Sequence, residues 1–399
     1  MSHSQDRPSL RTIVASAMGV RLISDTAVQF VFPYLPIFAA GLNVSIVEVG
    51  ALVSIRALMG LFSPLFGWMA ENRGYRNVMR LGLVLAGSGL LIFALSQNLI
   101  MAGIGMAIMG TGTGAFVPTL FSWASALLPF EERSRGLGAI ELAWALAGMI
   151  GVSLVGLGIA RFGWRAPLVV LAILLILSAL FITRLPGRSD AQTQEDKKEA
   201  NESAGDLLGF FDLGQNKVSA WAVIITSGMI AFANIHTFSA YAQWLVDLFA
   251  LDELSLTWVA FGMGTAELIS NLAITFFGDR LGPLRGTKIA VFGASVLFAL
   301  LFWMQSGTLI LFFVGLFVAR LFMENAFVNN IILASEQTPE YRAKALTLSS
   351  AVGTVGLSTA SWSGPSAYTQ FGPVGLVVPS VIMFVLVLVV MQLFAKEKG

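Results

Sequence analysis

Long apolar runs, each closed by a short polar break, recur along almost the whole chain. They occupy residues 12 to 41, 46 to 69, 78 to 97, 100 to 128, 135 to 160 and 164 to 184, then 218 to 249, 255 to 277, 287 to 305, 307 to 335, 343 to 369 and 374 to 395. Each is about 20 residues or more, enough for a helix to cross a hydrocarbon core of about 30 Å. A barrel would instead show weak alternating segments of about ten residues, and only a helix satisfies its own backbone within lipid. The pattern therefore predicts an all-α membrane protein with twelve transmembrane helices. The widest break contains GRSDAQTQEDKKEANESAGD, residues 187 to 206. That stretch is too polar to bury a core of its own and reads as a solvated linker. It divides the chain into a six-helix half over 1–185, a linker over 186–217 and a second six-helix half over 218–399.

Composition strengthens this picture. Of 399 residues, 56% are hydrophobic and 12% charged, against roughly 25% charged in soluble domains, and the mean hydropathy is +0.80. A net charge of +1 gives no reason to expect a nucleic-acid partner, and the absence of cysteine excludes disulfides and thiolate chemistry. The polar start, MSHSQDRPSLRT, does not resemble a cleaved signal peptide. Basic residues set the orientation. Nineteen of the 24 Lys and Arg residues fall in breaks on one side, only Arg161 and Arg165 fall on the other, and Arg21, Arg56 and Arg320 lie inside spans. With an even span count, both termini and the linker are expected in the cytoplasm, at the inner membrane of a bacterial-type cell.

The two halves repeat. A shift of about 209 residues brings GWMAENRGYR (67 to 76) near TFFGDRLGPLR (275 to 285), and LLPFEERSRG (127 to 136) onto EQTPEYRAKA (336 to 345). An even number of helices per half gives the copies the same orientation, a parallel repeat. At GWMAENRGYR the chain resembles the major facilitator superfamily, whose loop between helices 2 and 3 carries G-x-L-A-D-R-x-G-R-R. Gly67, Ala70, Gly74 and Arg76 match, Glu71 stands for the aspartate and Asn72 for a basic residue. The second copy, Gly278, Asp279, Arg280 and Gly282, keeps the acidic and basic positions and lacks the first glycine. The resemblance implies two pseudo-symmetric six-helix halves, alternating access, a monomer without cofactors, and a central cavity lined by helices 1, 4, 7 and 10. It also implies that Gly67, Glu71, Arg73, Gly74, Arg76, Asp279 and Arg280 gate the cytoplasmic side. Two features depart from the drug-exporter branch. GMAIMGTGTGAF (105 to 116) lacks an arginine, and WALAGMIGVSLVGLG (144 to 158) is glycine-rich without the branch's proline. Gly148, Gly151 and Gly156 also suit simple close helix packing.

Seven charges lie well inside spans: Arg21, Asp25, Arg56, Glu141, Glu267, Arg320 and Glu324. Facing lipid they would cost on the order of 20 kcal/mol together, so they face protein or water. Arg21 with Asp25, and Arg320 with Glu324, are i,i+4 pairs on one helix face. Each reads either as a structural ion pair or as a proton-coupling site, since coupling needs a carboxylate whose proton affinity is set by burial and a neighbouring cation. Asp25 leads, Glu324 follows, and Glu141 and Glu267 are either relays or partners of Arg56. His236 reads as a hydrogen-bonded core residue or a proton carrier. Arg21, Phe30, Tyr34, Arg56, Asn234, Tyr241, Arg320, Asn325 and Asn329 are the expected cavity residues, with Phe232, Phe238 and Phe327 nearby.

No nucleotide loop, HExxH or Ser/His motif supports an enzyme, and a lone internal histidine does not make a metal site. The expected function is secondary active transport of a small organic molecule, with proton-coupled export of an amphipathic or lipophilic compound as the first reading. Transport of an organic anion or metabolite, with the buried arginines as counter-charges, and lipid or lysolipid flipping are the rivals. The expected partners are the substrate and the lipid bilayer.

Overall fold

The computed structural model describes residues 10–128, 130–183, 185, 213–338 and 341–396. The linker residues 186–212 and the side chains of Glu71, Asp279 and Arg280 lie outside the described residues. Among the described residues, twelve helical rods follow one another. The first, α1, runs Leu10–Gln29 and continues as Leu35–Leu42, and α2 runs Ile46–Met59 and Ser63–Arg73. Next come α3 (Tyr75–Ala94), α4 (Leu99–Leu127), α5 (Phe130–Leu146, then Val152–Phe162) and α6 (Arg165–Ile182). The second set is α7 (Lys217–Phe238 and Tyr241–Phe249), α8 (Glu253–Leu281), α9 (Pro283–Met304), α10 (Leu309–Gln337), α11 (Arg342–Phe371) and α12 (Pro373–Phe394). Ten of these are long and apolar enough to cross a membrane. The other two, α8 and α11, are 29 and 30 residues long.

Local chemistry explains the boundaries. Pro33 and Pro36 cannot donate into the ladder of α1, which breaks into a 3-10 turn over Phe32–Tyr34 before resuming. The third rod starts at Tyr75 rather than 78 because Gly74, at φ 86°, turns the chain within one residue. The ninth starts at Pro283, where a missing N–H costs nothing.

The repeat is visible in the backbone. Left-handed residues recur as Asn43 and Ala250, Gly74 and Gly282, Gly163 and Gly372, at separations of 207, 208 and 209 residues. Helix starts recur too. Ser45 and Glu48 form a capping box on α2, and at the equivalent place on α8 the Asp252 carboxylate accepts from the Ser255 N–H at 2.8 Å. The Ser255 hydroxyl and N–H hold the Asp252 carboxyl below its usual range. Asn98 caps α4 by accepting from the Met101 N–H at 2.9 Å, and Thr308 caps α10 by accepting from Leu311 at 3.3 Å.

Each half has an apolar core. In the first, Phe30, Phe38, Phe93 and Trp164 pack edge-on or tilted, with centroids 5.4 to 6.3 Å apart. In the second, Trp244 meets Phe312 at 4.7 Å and Phe298 bridges Phe238 and Phe384. Within the first half α3 and α4 touch backbone to backbone. A Cβ on Gly112 would meet the Ala86 nitrogen and the Gly82 carbonyl, and one on Gly105 would lie 2.7 Å from the Phe93 nitrogen.

The halves meet along two seams, α2 with α11 and α5 with α8. Both are tight toward the end remote from the basic turns. There the outer part of α7 packs on the outer part of α1, Gly50 presses on the Ser361 carbonyl, and Ser54 and Ser358 exchange hydrogen bonds. The Ser54 hydroxyl donates to the Ser358 carbonyl at 2.6 Å, and the Ser358 hydroxyl donates to that of Ser54 at 3.1 Å. Toward the basic end the seam widens. The Thr354 methyl stands 3.9 Å from the position of a Gly60 Cβ, nothing lies within 4 Å at Gly67 or Gly353, and Leu65 and Trp68 are 62% and 67% exposed.

The α3–α4 contact yields a stability prediction. Gly112→Val should lower stability by about 3 kcal/mol, the upper range for overpacking, read as thermal unfolding of detergent-solubilised protein. Gly19→Ala, where nothing lies within 4 Å, should stay within about 0.5 kcal/mol of wild type. Equal unfolding temperatures for the two variants would refute backbone contact between α3 and α4.

Candidate functional site

Two clusters of buried charge connect helices, and Arg56 has no hydrogen-bonding or ion-pair partner among the described residues. In the first cluster Arg21 on α1 binds two carboxylates at once. Its Nε donates to Asp25 Oδ2 at 2.9 Å, while Nη1 and Nη2 donate to Glu141 Oε2 and Oε1 on α5 at 2.7 and 2.9 Å. The guanidinium lies 4.6 Å from the centroid of the Phe121 ring. Burial is steeply graded, from 2% side-chain exposure at Asp25 through 4% at Arg21 to 58% at Glu141. A carboxylate that exposed, in the inner part of a span, faces water rather than lipid. One cation between two carboxylates leaves the fully ionised cluster at net −1, so a single bound proton makes it neutral.

The second cluster joins α10 to α8, with Arg320 Nη2 donating to Glu267 Oε1. Both residues line a central cavity between the halves with about 740 Å³ of empty space, part of it open. Val28, Gln29, Phe32 and Pro33 of α1, Trp144, Gly148 and Val152 of α5, and Ile235, Phe238 and Tyr241 of α7 form most of its wall. A single turn of π-helix, Ala147–Gly151, interrupts α5 at the cavity, a feature frequent at functional sites. Side chains of α1 dock on carbonyls either side of it. Gln29 Nε2 donates to the Trp144 carbonyl at 2.9 Å and the Tyr34 hydroxyl to that of Val152 at 3.0 Å. The glycines around the bulge serve close packing: Gly148 faces Gly264 of α8, Gly151 meets Thr26, and Gly156 meets Tyr34 and Thr257.

Arg56 on α2 also lines the cavity. It is 7% exposed, and its Nη1 is buried with no hydrogen-bond partner among the described residues. Glu267 Oε2, in the same cavity, is likewise buried without a partner among them. The expected pairing of Arg56 with Glu141 or Glu267 is therefore corrected, because both carboxylates are taken by other arginines.

The expected pairing of Arg320 with Glu324 also changes. Arg320 makes its direct hydrogen bond to Glu267 on the neighbouring helix, while Glu324 stays within electrostatic reach of Arg320 and its Oε1 accepts from Asn271 Nδ2 at 3.4 Å. Helix spacing brings i,i+4 groups within reach, but a partner from α8 makes the shorter contact.

Of the expected cavity residues, Arg56, Tyr241 and Arg320 line the cavity. Phe30 does not, being fully buried against Phe38 and Phe93. Tyr34 lies in the α1–α5–α8 seam, its hydroxyl 3.4 Å from Thr257 Oγ1, and Arg21 sits off the cavity with Glu141. Asn234, Asn325 and Asn329 bond within the second half: Asn234 Nδ2 donates to the Met323 carbonyl at 3.4 Å and Asn329 Nδ2 to Asn325 Oδ1 at 2.8 Å. His236 stacks on Phe232 at 5.1 Å. Its Nε2 donates to the Gly375 carbonyl and its Nδ1 accepts from the Ser363 hydroxyl, both at 3.0 Å, tying α7 to α11 and α12. In the loop expected to act as a gate, Arg76 donates to the Thr183 carbonyl of α6, and Arg73 reaches back to the Met69 sulfur of its own helix.

Gln29, Trp144 and the α5 bulge escape a search for charged residues. The only sequence signal for them is the glycine density of WALAGMIG, which marks close approach without saying to what.

The comparisons with known proteins agree with this architecture. The sequence profile of the Major Facilitator Superfamily matches residues 17–242, more than half of the chain. The uncharacterised MFS-type transporter YwfA of Bacillus subtilis (strain 168) is 25% identical over 390 residues, 96% of this chain and 92% of that protein. The cis,cis-muconate transport protein of Acinetobacter baylyi is 22% identical over 70% of this chain and 68% of its own length. The crystal structure of a D-xylose–proton symporter has the same fold, with a TM-score of 0.76 at 18% identity, covering 97% of this chain and 98% of that one. Twelve rods in a backbone-level repeat, seams of α2 with α11 and α5 with α8, and a profile match across the first half and into the second lead to one conclusion: the chain is a multi-pass membrane transporter of the Major Facilitator Superfamily.

Proposed function

We propose that this protein is a secondary transporter that moves a small amphipathic organic molecule by alternating access, driven by protons that bind at the Arg21–Asp25–Glu141 cluster. The single observation carrying the reading is Arg21 held between a carboxylate closed off from water and one open to it. Glu141 provides the aqueous end and Asp25 the buried end. Arg21 keeps a counter-charge whether or not Asp25 holds a proton, so the cluster changes charge without stranding a cation. The basic end of the bundle is assigned to the cytoplasm of the inner membrane, which makes this conformation inward-facing. The seams at the remote end are its closed gate, and the halves rock as units about the cavity. The cavity wall, mostly apolar and aromatic around a few polar groups, suits an amphipathic molecule. The relative named for cis,cis-muconate transport is in keeping with a small organic substrate.

Two outcomes follow from this reading. Asp25→Asn should fold, because Arg21 retains both bonds to Glu141. In proteoliposomes with an imposed pH gradient it should lose proton-driven substrate accumulation, falling by about tenfold or more, while counterflow exchange persists. Full accumulation by this variant would remove Asp25 as the coupling residue. The chain has no cysteine, so Ser54→Cys with Ser358→Cys introduces the only thiols. Oxidation should cross-link α2 to α11, block transport and be reversed by reductant. Undiminished transport by the cross-linked protein would show that the α2–α11 seam does not open during the cycle.

A further inference from the structure

We infer that the substrate is an organic monoanion whose carboxylate is received by Arg56. The inference rests on the central cavity being the transport site and adds the chemistry of what enters it. Three guanidiniums are set into this bundle at mid-span. Arg21 is matched by two carboxylates and Arg320 by Glu267. Arg56 is buried at 7% exposure and lines the cavity with no ion pair or hydrogen bond among the described residues. A buried cation left unmatched is among the costliest arrangements a fold can hold, and it persists where a ligand completes it.

The charge count fixes the valence. Of the charges on the cavity wall, Arg320 is already paired with Glu267, and Glu324 lies one turn from Arg320 with its carboxylate on Asn271. Arg56 is therefore the lining charge left without a counter-charge among the described residues, and one negative charge matches it. A dianion or a cation leaves a net charge in a low-dielectric space. Geometry fixes the headgroup, because a planar guanidinium presents paired donors that fit the two oxygens of a carboxylate. The remaining wall describes the rest of the molecule. Phe32, Ile235, Phe238 and Met263 offer an apolar surface. Glu267 Oε2, buried and unpartnered among the described residues, accepts from a hydroxyl or similar donor on the substrate. A hydroxylated aromatic or aliphatic carboxylate meets all three conditions.

The test uses the full-length protein in detergent at neutral pH with no gradient, so its result stands or falls separately from proton coupling, which only the proteoliposome assay reads. The probes are benzoate, 4-hydroxybenzoate and octanoate, the neutral isostere 4-hydroxybenzamide, the cation 4-hydroxybenzylammonium and the dianion terephthalate, each at about 10 mM, above a millimolar Kd. At least one monocarboxylate should raise the unfolding temperature and bind by titration calorimetry, and the amide, cation and dianion should not. Arg56→Gln should weaken that binding by about 30-fold or more, and Arg56→Lys should keep part of it. If Arg56→Gln does not fold, the comparison of carboxylate with amide on wild type decides the matter alone. Equal binding of the amide or the ammonium, unchanged affinity in Arg56→Gln, or no response to any monocarboxylate overturns the inference.

Discussion

A charge placed inside a lipid-embedded bundle has to find an opposite charge or water, and much of this molecule's organisation follows from that requirement. Asp25 and Arg21 satisfy it by recruiting Glu141 across the α1–α5 contact. Arg320 satisfies it by drawing Glu267 from α8. These pairings work as ties as well as charge compensation. The first holds α5 against α1 within one half, and the second holds α8 against α10 within the other. Because each tie is internal to a half, the proposed tilting of the halves breaks neither.

The backbone between the halves is specialised in a complementary way. Small residues let helices approach closely along both seams, as where Gly148 faces Gly264 and Gly50 meets Ser361. The π-turn of α5 lies at the α5–α8 contact, and α1 side chains engage carbonyls on both of its flanks. An irregular turn within a membrane span is tolerated where it is enclosed by protein or lines a cavity, and this one meets both conditions. The same short segment thus carries part of the cavity wall and part of the seam.

Much of this was legible in the chain. Spans, repeat and seven internal charges followed from apolar run length and the cost of burying charge, and Gly74 marked a turn that only glycine makes easily. Pairing of the charges was legible only within a helix. Arg21 with Asp25 follows from spacing, whereas Glu267 as the partner of Arg320 depends on how α8 is rotated against α10, which no one-dimensional pattern records. That Arg56 lacks a partner among the described residues was hidden for the same reason, since it shows only once Glu267, in the same cavity, is seen to be engaged by Arg320. Aromatic residues misled: at roughly 100° per residue Phe30 and Tyr34 fall on the side of α1 away from Arg21 and Asp25, Phe30 entering the core and Tyr34 a seam.

The reciprocal contact of Ser54 and Ser358 is modest in energy. Two neutral hydrogen bonds contribute about 1 kcal/mol each, so together they bias the closed seam by about 30-fold in population, well short of the bias needed to make one state permanent. Oils on both sides of that seam gain little from meeting each other rather than lipid. On the proposed alternating-access cycle, a latch this shallow leaves the equilibrium within range of a single binding event in the cavity.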